Sequence, residues 1–456
     1  MDRIMVNQFF YINFRSFTLM KFLKKILVFL AVGTYFNSFA QQFTDVYAKL
    51  QQSQILNDHF FGFSLYDLDS NRFVVDINGH KHFTPASNTK VFTLYTALEL
   101  LGDSIPGLQY VEKGDSLLFW GTGDPTFLHS KMDSHIVYNF LKKTDKKLFY
   151  VPSPMQNRFF AAGWSMDDFD AYYQPEIATW PIYGNVVTFR ATGNNKMSIV
   201  PAYFQDKQAI QPMLDKGQFA LSRSFTENEF LQSREKVPAN YVNEIPFKYS
   251  DDLAVKLLSD TLNKNIQIID YNKPIDVKTL YSNATNYVLR EMMLPSDNYL
   301  AEQILMMASL QIFKKFDTYL VRKWMQDNYY KYYSDETVLH DGSGLSSYNK
   351  ISPQSMVDVL VAIKNKIPDE TKRFKLFSAG GVDGTLKRAY SKDLGVPFIF
   401  AKTGTITSVY CQSGYLITRS GKKLAFSFLN NNFIDEKGSN IRKEMVNIMT
   451  YIRQNY

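Results

Sequence analysis

The hydrophobic positions divide the chain into stretches of different period. Residues 43–58 place apolar side chains at helical spacing and predict an amphipathic helix. Phe61 to Leu68 and Arg72 to Ile77 predict two strands, with Asp69-Ser70-Asn71 as the turn between them. Val91, Leu94, Tyr95 and Leu98 then recur at helical spacing, which predicts a helix starting near Ser87 and ending near Leu101-Gly102. From about 106 to 274 the strand-like runs are short and separated by Gly, Pro and Asn. Leu117 to Thr126 reads as a strand ending in a turn. Ala161 to Tyr173 mixes aromatics and acids without a period. Thr226 to Arg234 and Asp251 to Leu262 look helical.

Helical texture returns with Asn286–Leu294 and Tyr299–Ile312, interrupted by Pro295-Ser296-Asp297-Asn298. After residue 396 the pattern is β, then α. Phe398–Ala401 is a strand, and Gly414–Ile417 and Leu424–Leu429 form a hairpin. Residues 439–454 then put Ile441, Met445, Ile448 and Ile452 on one helix face, suited to packing on the preceding sheet. The pattern predicts an α/β (α+β) architecture. Residues 41–105 and 275–456 would form one domain. Residues 106–274 would be inserted in it, with a nested subdomain near 190–245.

Composition changes this picture little. The 456 residues are 45% hydrophobic and 15% aromatic, ample for a buried core. Met292, Met293, Met306 and Met307 read as core filler, and the lone Cys411 as a core residue in an apolar strand. The N-terminus changes more. Met20-Lys21-Phe22-Leu23-Lys24-Lys25, an apolar run from Ile26 to Phe36, and Ser38-Phe39-Ala40 form a signal-peptide pattern with cleavage before Gln41. Residues 1–19 are then an upstream extension. The mature protein is expected outside the cytoplasm, in the periplasm or cell envelope, and at most peripheral to a membrane. Removing residues 1–40, with Arg3, Arg15, Lys21, Lys24, Lys25 and Asp2, lowers the formal charge from +7 to +3. That balance is no footprint for nucleic acid. The six histidines do not suggest a zinc hydrolase, and no metal or other cofactor is expected.

The candidate chemistry starts at Ser87. Lys90 lies three residues on, on the same face of a first helical turn. A serine needs an adjacent base to act as a nucleophile, and a neutral lysine can be that base. Helix N-terminal N–H groups can meet an oxyanion. Ser-x-x-Lys also occurs at Ser233/Lys236, Ser347/Lys350 and Ser420/Lys423, which read as solvated loops or turns. What distinguishes Ser87 is an ordered set: Ser87-x-x-Lys90, then Ser296-Asp297-Asn298, then Lys402-Thr403-Gly404. This triple marks penicillin-binding proteins and class A β-lactamases. The contexts agree: a helix start, a turn between helices and a strand end.

With these motifs the chain resembles the class C low-molecular-mass penicillin-binding proteins, the D-alanyl-D-alanine carboxypeptidase/endopeptidases. The resemblance extends from about residue 43 to 455. It includes Gly121–Thr126, Asp341-Gly342-Ser343-Gly344-Leu345-Ser346, Ala379–Leu386 and Ala401–Thr407. Ser347 departs from it, standing where many relatives carry Arg. The resemblance implies a transpeptidase-like fold and a serine hydrolase that acts on peptidoglycan stem peptides and is inhibited by β-lactam antibiotics. Ser87 would be the acylated nucleophile and Lys90 its base. Ser296 would relay a proton to the leaving amine, and Asn298 would bind the acyl side's backbone amide. Lys402, Thr403 and Thr405 would hold the terminal carboxylate, with Gly404 beside them. The backbone N–H groups of Ser87 and Thr405 would form the oxyanion hole.

It also implies that Trp164, Asp167 and Tyr172 grip a long amino side chain of the substrate. Asp168 or Asp170 are alternative carriers of the charge. Two other readings stay open. A serine β-lactamase needs a deacylating Glu; Glu336-Thr337-Val338-Leu339-His340 superficially fits Glu-x-x-Leu-Asn, but it lacks the final Asn and runs directly into Asp341-Gly342-Ser343-Gly344, so it reads as a strand edge. A non-catalytic peptidoglycan-binding protein of the same fold would be expected to have lost a motif residue, and none is lost.

Overall fold

A computed structural model describes residues 43–156 and 159–456. The expected signal peptide lies outside the described residues. The chain forms two compact units, one ending at Ser53 and one spanning Gln54–Tyr456. In the first, the helix Thr44–Gln52 stops where Ser53 turns extended (φ −69°, ψ 111°). The helix expected over 43–58 is therefore two pieces, the second being Gln54–Asn57.

The second unit is built on a six-stranded antiparallel sheet. Its spatial order is Ser378–Ala379, Ile399–Ile406, Val409–Ile417, Lys423–Asn431, Phe60–Asp67 and Arg72–Ile77. The middle strands are buried along almost their whole length, because helices cover both faces. On one face Val91, Leu94, Leu289, Ile304 and Leu360 from the helices pack with Cys411 and Leu429 from the sheet. On the other lies the helix Gly438–Asn455, whose Met445 Sδ accepts from Asn430 Nδ2 at 3.2 Å. Ile441, Met445, Ile448 and Ile452 are all buried, as their spacing predicts.

Two helices position the chemistry, and both are buried nearly all round. Residues 89–97 of the helix Thr89–Leu100 and residues 298–310 of the helix Asn298–Phe313 are buried. A helix in the middle of a core has no solvent face, so its polar groups must find protein partners. Thr93 Oγ1 accordingly donates to the Gly342 carbonyl at 2.6 Å. Gln303 Nε2 donates to the carbonyls of Gly123 at 2.9 Å and Ala178 at 2.8 Å.

Residues 104–284 form three further sheets. The largest orders Ile266–Ile268, Lys147–Tyr150, Ser116–Gly121, Ser104–Lys113 and Lys278–Ala284. Two three-stranded sheets follow, one of 186–200 with 242–246 and one within 208–232. The helix Asp251–Leu262 forms as expected, capped by Ser250, whose hydroxyl accepts from Leu253 N. The helix expected over Thr226–Arg234 does not form. Phe230–Gln232 is a strand paired with Gln208–Ile210 and Leu221–Arg223. Phe230 is fully buried against Phe189 and Phe204, so tertiary burial overrides a weak local propensity. Ser233 in this stretch is also buried, not solvated, and its hydroxyl accepts from Ala220 N.

Candidate active site

Ser87 sits in a tight turn, Ala86–Asn88, that leads directly into the helix Thr89–Leu100. Ala86 has φ 47°, a left-handed conformation that costs an alanine about 1–2 kcal/mol. Close packing holds it there. Thr89 Oγ1 donates to the Ala86 carbonyl at 2.9 Å, and Asn88 N donates to the Pro85 carbonyl at 3.1 Å. Gly344 and Gly404 press on the same turn. A Cβ on Gly344 would lie 1.9 Å from the Ala86 oxygen, and one on Gly404 would lie 2.9 Å from Ser87 N. Only glycine admits the turn from both sides.

Lys90 is fully buried one turn on. Its Nζ donates to Ser87 Oγ at 3.1 Å, Asn298 Oδ1 at 2.6 Å and the Ser343 carbonyl at 2.6 Å. Burial lowers the ammonium to about 8, against the opposing pull of Asp341, Asp297 and Glu302.

A second lysine–serine pair faces the first. Lys402, on the strand Ile399–Ile406, is also buried, and its Nζ donates to Ser296 Oγ and the Thr403 carbonyl, both at 2.7 Å. Burial and then the charge of Lys90 hold Lys402 well below its ordinary range. Ser296 has φ 67° in a reversal closed by Asp297 N donating to the Met292 carbonyl. Asp297 then caps the next helix by accepting from Leu300 N. Asn298 follows on that helix, with Nδ2 donating to the Tyr173 carbonyl at 3.0 Å.

The strand Ile399–Ile406 forms one wall. Its outer neighbour is only Ser378–Ala379, paired with Ala401 and Phe400, so the edge from Lys402 onward is unpaired. An open edge of this kind can accept an extended peptide as an added strand. Thr403 Oγ1 donates to Thr385 Oγ1 at 2.8 Å. The walls enclose a cleft of about 840 Å³ lined by Ser87, Ser296, Asn298, Thr403 and Thr405, among others.

Of the rim residues expected from the sequence, Trp164 and Tyr172 line this cleft, and Tyr172 is 64% exposed. Asp167 is exposed and is absent from the described lining, where Asp168 stands instead. Asp170 is committed elsewhere, accepting from Ser222 Oγ and Arg223 N. Trp164 also has a structural tie, since its Nε1 donates to Asp341 Oδ2 at 2.9 Å. Glu336 does not line the cleft; its carbonyl faces His82 Nε2 at 2.8 Å. The stretch lies at a strand-like edge, where Val338 bridges Lys350, and so does not supply the deacylating acid a β-lactamase needs.

Two acids beneath the site were not singled out as site residues from the sequence. Buried Asp341 accepts from Gly344 N at 2.9 Å, Ser346 N at 2.7 Å, Asn349 Nδ2 at 2.6 Å and Trp164 Nε1. Buried Glu302 accepts from Gly342 N at 2.9 Å and Ser343 N at 2.8 Å, and so fixes the carbonyl that receives Lys90. Burial and the charge of Asp341 raise Glu302 to about 7. The available signal was the pair Glu302-Gln303 inside an otherwise apolar helical run.

The fold is that of the penicillin-binding and β-lactamase-like proteins, an antiparallel sheet flanked by helices. The D-Ala-D-Ala carboxypeptidase 3 (S13) family model matches residues 42–452, so the chain belongs to that family and is a D-Ala-D-Ala carboxypeptidase in class. It is 25% identical to the D-alanyl-D-alanine carboxypeptidase DacB of Haemophilus influenzae over 81% of this chain and 85% of that protein. The crystal structure of penicillin binding protein 4 (dacB) from Haemophilus influenzae matches with TM-score 0.69 and 21% identity, covering 88% of this chain and 98% of that one. The same protein complexed with a novel β-lactam matches with TM-score 0.65 and 21% identity, over 90% and 100% of the two chains.

Proposed function

We propose that Ser87 is the acylated nucleophile of this carboxypeptidase and Lys90 the base that activates it. The observation that carries the reading is the 3.1 Å approach of a fully buried lysine, lowered to about 8, to Ser87 Oγ. At pH 7 roughly a tenth of such a lysine is neutral, enough to accept the serine proton. Ser87 Oγ attacks the carbonyl of the penultimate D-alanine. The backbone N–H groups of Ser87 and Thr405 receive the oxyanion. The C–N bond breaks, and Ser296 passes a proton to the departing amine. Water then hydrolyses the ester and returns the free enzyme.

Lys402, Thr403 and Thr405 hold the terminal carboxylate, with Gly404 letting the strand lie against the nucleophile turn. Asn298 binds the acyl side's backbone amide. At the rim, Trp164, Tyr172 and an acid cover the substrate's amino side chain, and Asp168 fits this role better than Asp167 because it lines the cleft. The substrates are peptidoglycan stem peptides, and β-lactams mimic them at Ser87.

We also propose export to the periplasm or cell envelope after cleavage near Gln41. No helix among the described residues is long and apolar enough to cross a membrane. The division into a catalytic part, 41–105 with 275–456, and an inserted part, 106–274, is likewise proposed. It is supported by separate hydrophobic clusters, one under the six-stranded sheet and one under the five-stranded sheet. Intact-mass measurement after incubation with a penicillin, beside D-alanine release from a D-Ala-D-Ala peptide, tests the reading. One covalent adduct and release of one D-alanine are expected; absence of both would refute it.

A further inference from the structure

The strand Ile399–Ile406 is entered through a small hairpin that the catalytic chemistry does not use. Asp393 N donates to the Val396 carbonyl and Val396 N to the Asp393 carbonyl, both at 3.1 Å, so Leu394 and Gly395 form a two-residue turn. Both have positive φ, 53° and 82°. Asparagine and glycine suit that pattern. Leucine does not, because its Cβ crowds the following carbonyl. The chain follows this preference elsewhere: between the strands Val186–Gly193 and Lys196–Val200 the turn residues are Asn194 and Asn195, at φ 51° and 59°. At 394 a strained leucine stands instead. It is 78% exposed, with Val396 51% exposed beside it, so burial in the fold does not repay the strain.

The base of the hairpin is tied down. Asp393 Oδ1 accepts from Arg419 Nη2 at 2.8 Å, and Oδ2 accepts from Arg419 Nε at 3.1 Å and Arg453 Nε at 2.9 Å. Arg453 Nη1 also donates to the carbonyls of Ile417 and Thr418, which joins the turn to the six-stranded sheet and to the helix Gly438–Asn455. The apolar tip therefore projects from a fixed support. Its chain neighbours are basic. Lys387, Arg388 and Lys392 are exposed and form no ion pair among the described residues. The one acid between 387 and 396 is Asp393, already shared by two guanidiniums. No residue from 387 to 398 lines the catalytic cleft.

We propose that Leu394 and Val396 dip into the surface of an anionic lipid bilayer, with Lys392 and the cations before it on the headgroups. An apolar tip beside unpaired cations combines the two attractions of a membrane-surface contact, burial among acyl chains and charge. Two side chains on a tight turn are too few for a stable protein interface, which buries about 800 Å² on each partner. A hydrated glycan or a free anion would satisfy the cations and leave the leucine in water. The inference rests on the export proposed above. The contact holds the enzyme at the membrane through a point outside its cleft.

The test uses the protein as recovered after export, with residues 1–40 removed, so that the apolar run Ile26–Phe36 does not bind lipid in its own right. Sedimentation with vesicles of phosphatidylcholine, alone or mixed with phosphatidylglycerol, gives the partition coefficient. Wild type should bind the mixed vesicles, more weakly as salt rises, and bind the neutral ones far less. Leu394→Asn should lower binding about tenfold. Its thermal transition should hold or rise, because asparagine takes the left-handed turn more readily. Lys392→Glu should lower binding to the mixed vesicles roughly ten- to thirtyfold, the scale of reversing one charge near an anionic surface. Both variants should release D-alanine from a soluble peptide at the wild-type rate. A wild type that stays in solution beside the mixed vesicles overturns the proposal. So does a Leu394→Asn variant that binds like wild type or unfolds at a lower temperature. Self-association of the wild type that Leu394→Asn abolishes, without vesicle binding, assigns the tip to a protein contact and overturns it too. Failure of the export reading shows separately, as an intact Met1 or Met20 end.

Discussion

The two buried lysines of the cleft invite comparison. Each donates to a serine hydroxyl and a backbone carbonyl, and each is stripped of water. They differ in the charges around them. Asp341, Asp297 and Glu302 lie close enough to Lys90 to pull its proton affinity up, whereas the charge acting on Lys402 is the repelling one of Lys90 itself. Similar first contacts thus sit in different electrostatic surroundings. In the function proposed above, Lys90 exchanges the proton and Lys402 shapes the carboxylate corner.

Removing each lysine in turn breaks this comparison most severely. Lys90→Ala should slow penicillin acylation by about a thousandfold, the scale of a lost general base. Lys402→Ala should cost about ten- to a hundredfold in kcat/KM for a D-Ala-D-Ala peptide, chiefly in KM, the scale of one lost hydrogen bond to a charged group. Stopped-flow acylation and steady-state hydrolysis would separate them. Equal and complete loss in both variants would remove the division of roles.

Asp341→Ala should be the most damaging change to stability. It strands the N–H groups of Gly344, Ser346, Asn349 and Trp164 that now converge on one carboxylate. Each buried donor left unsatisfied costs about 1–3 kcal/mol, so the midpoint of denaturant unfolding should fall clearly. A midpoint within error of wild type would mean that this hub does not hold the turn.

The pH profile sharpens the comparison further. Only neutral Lys90 accepts a proton, and its folded value is lowered to about 8. The acylation rate should therefore climb about tenfold per pH unit below about 8 and level above it. A rate that falls over the same range would assign the proton acceptor elsewhere.

The smallest effect belongs to the rim. Asp168→Asn should reduce a preference for free-amine over acetylated stem peptides several-fold, as expected for one exposed charge pair, while Asp167→Asn should leave it nearly unchanged. Paired kcat/KM values would decide which acid carries it.

What could be read from the sequence follows from how local each signal is. Ser87, Lys90, Ser296, Asn298 and Lys402 each sit in a contiguous motif at the end of a predicted element, and the structure brings them to one cleft. Glu302 was hidden because a buried acid leaves no period of its own inside an apolar helix. The Trp164–Asp341 bond joins residues far apart in the chain, which no spacing rule reaches. Asp167 and Asp168 differ by one step in a short turn, and a stretch without periodicity does not say which faces the cleft. Thr226–Arg234 failed for the opposite reason: its local texture was helical, but Phe230 is drawn into a core by partners elsewhere in the chain.

The central claim is that Ser87 is the residue acylated, and intact-mass spectrometry of wild type and Ser87→Ala after incubation with a penicillin tests it most directly. Wild type should gain the mass of one penicillin, and the variant, folded with an unchanged thermal transition, should gain none. A labelled Ser87→Ala protein, or a wild type that stays unlabelled, would contradict the account.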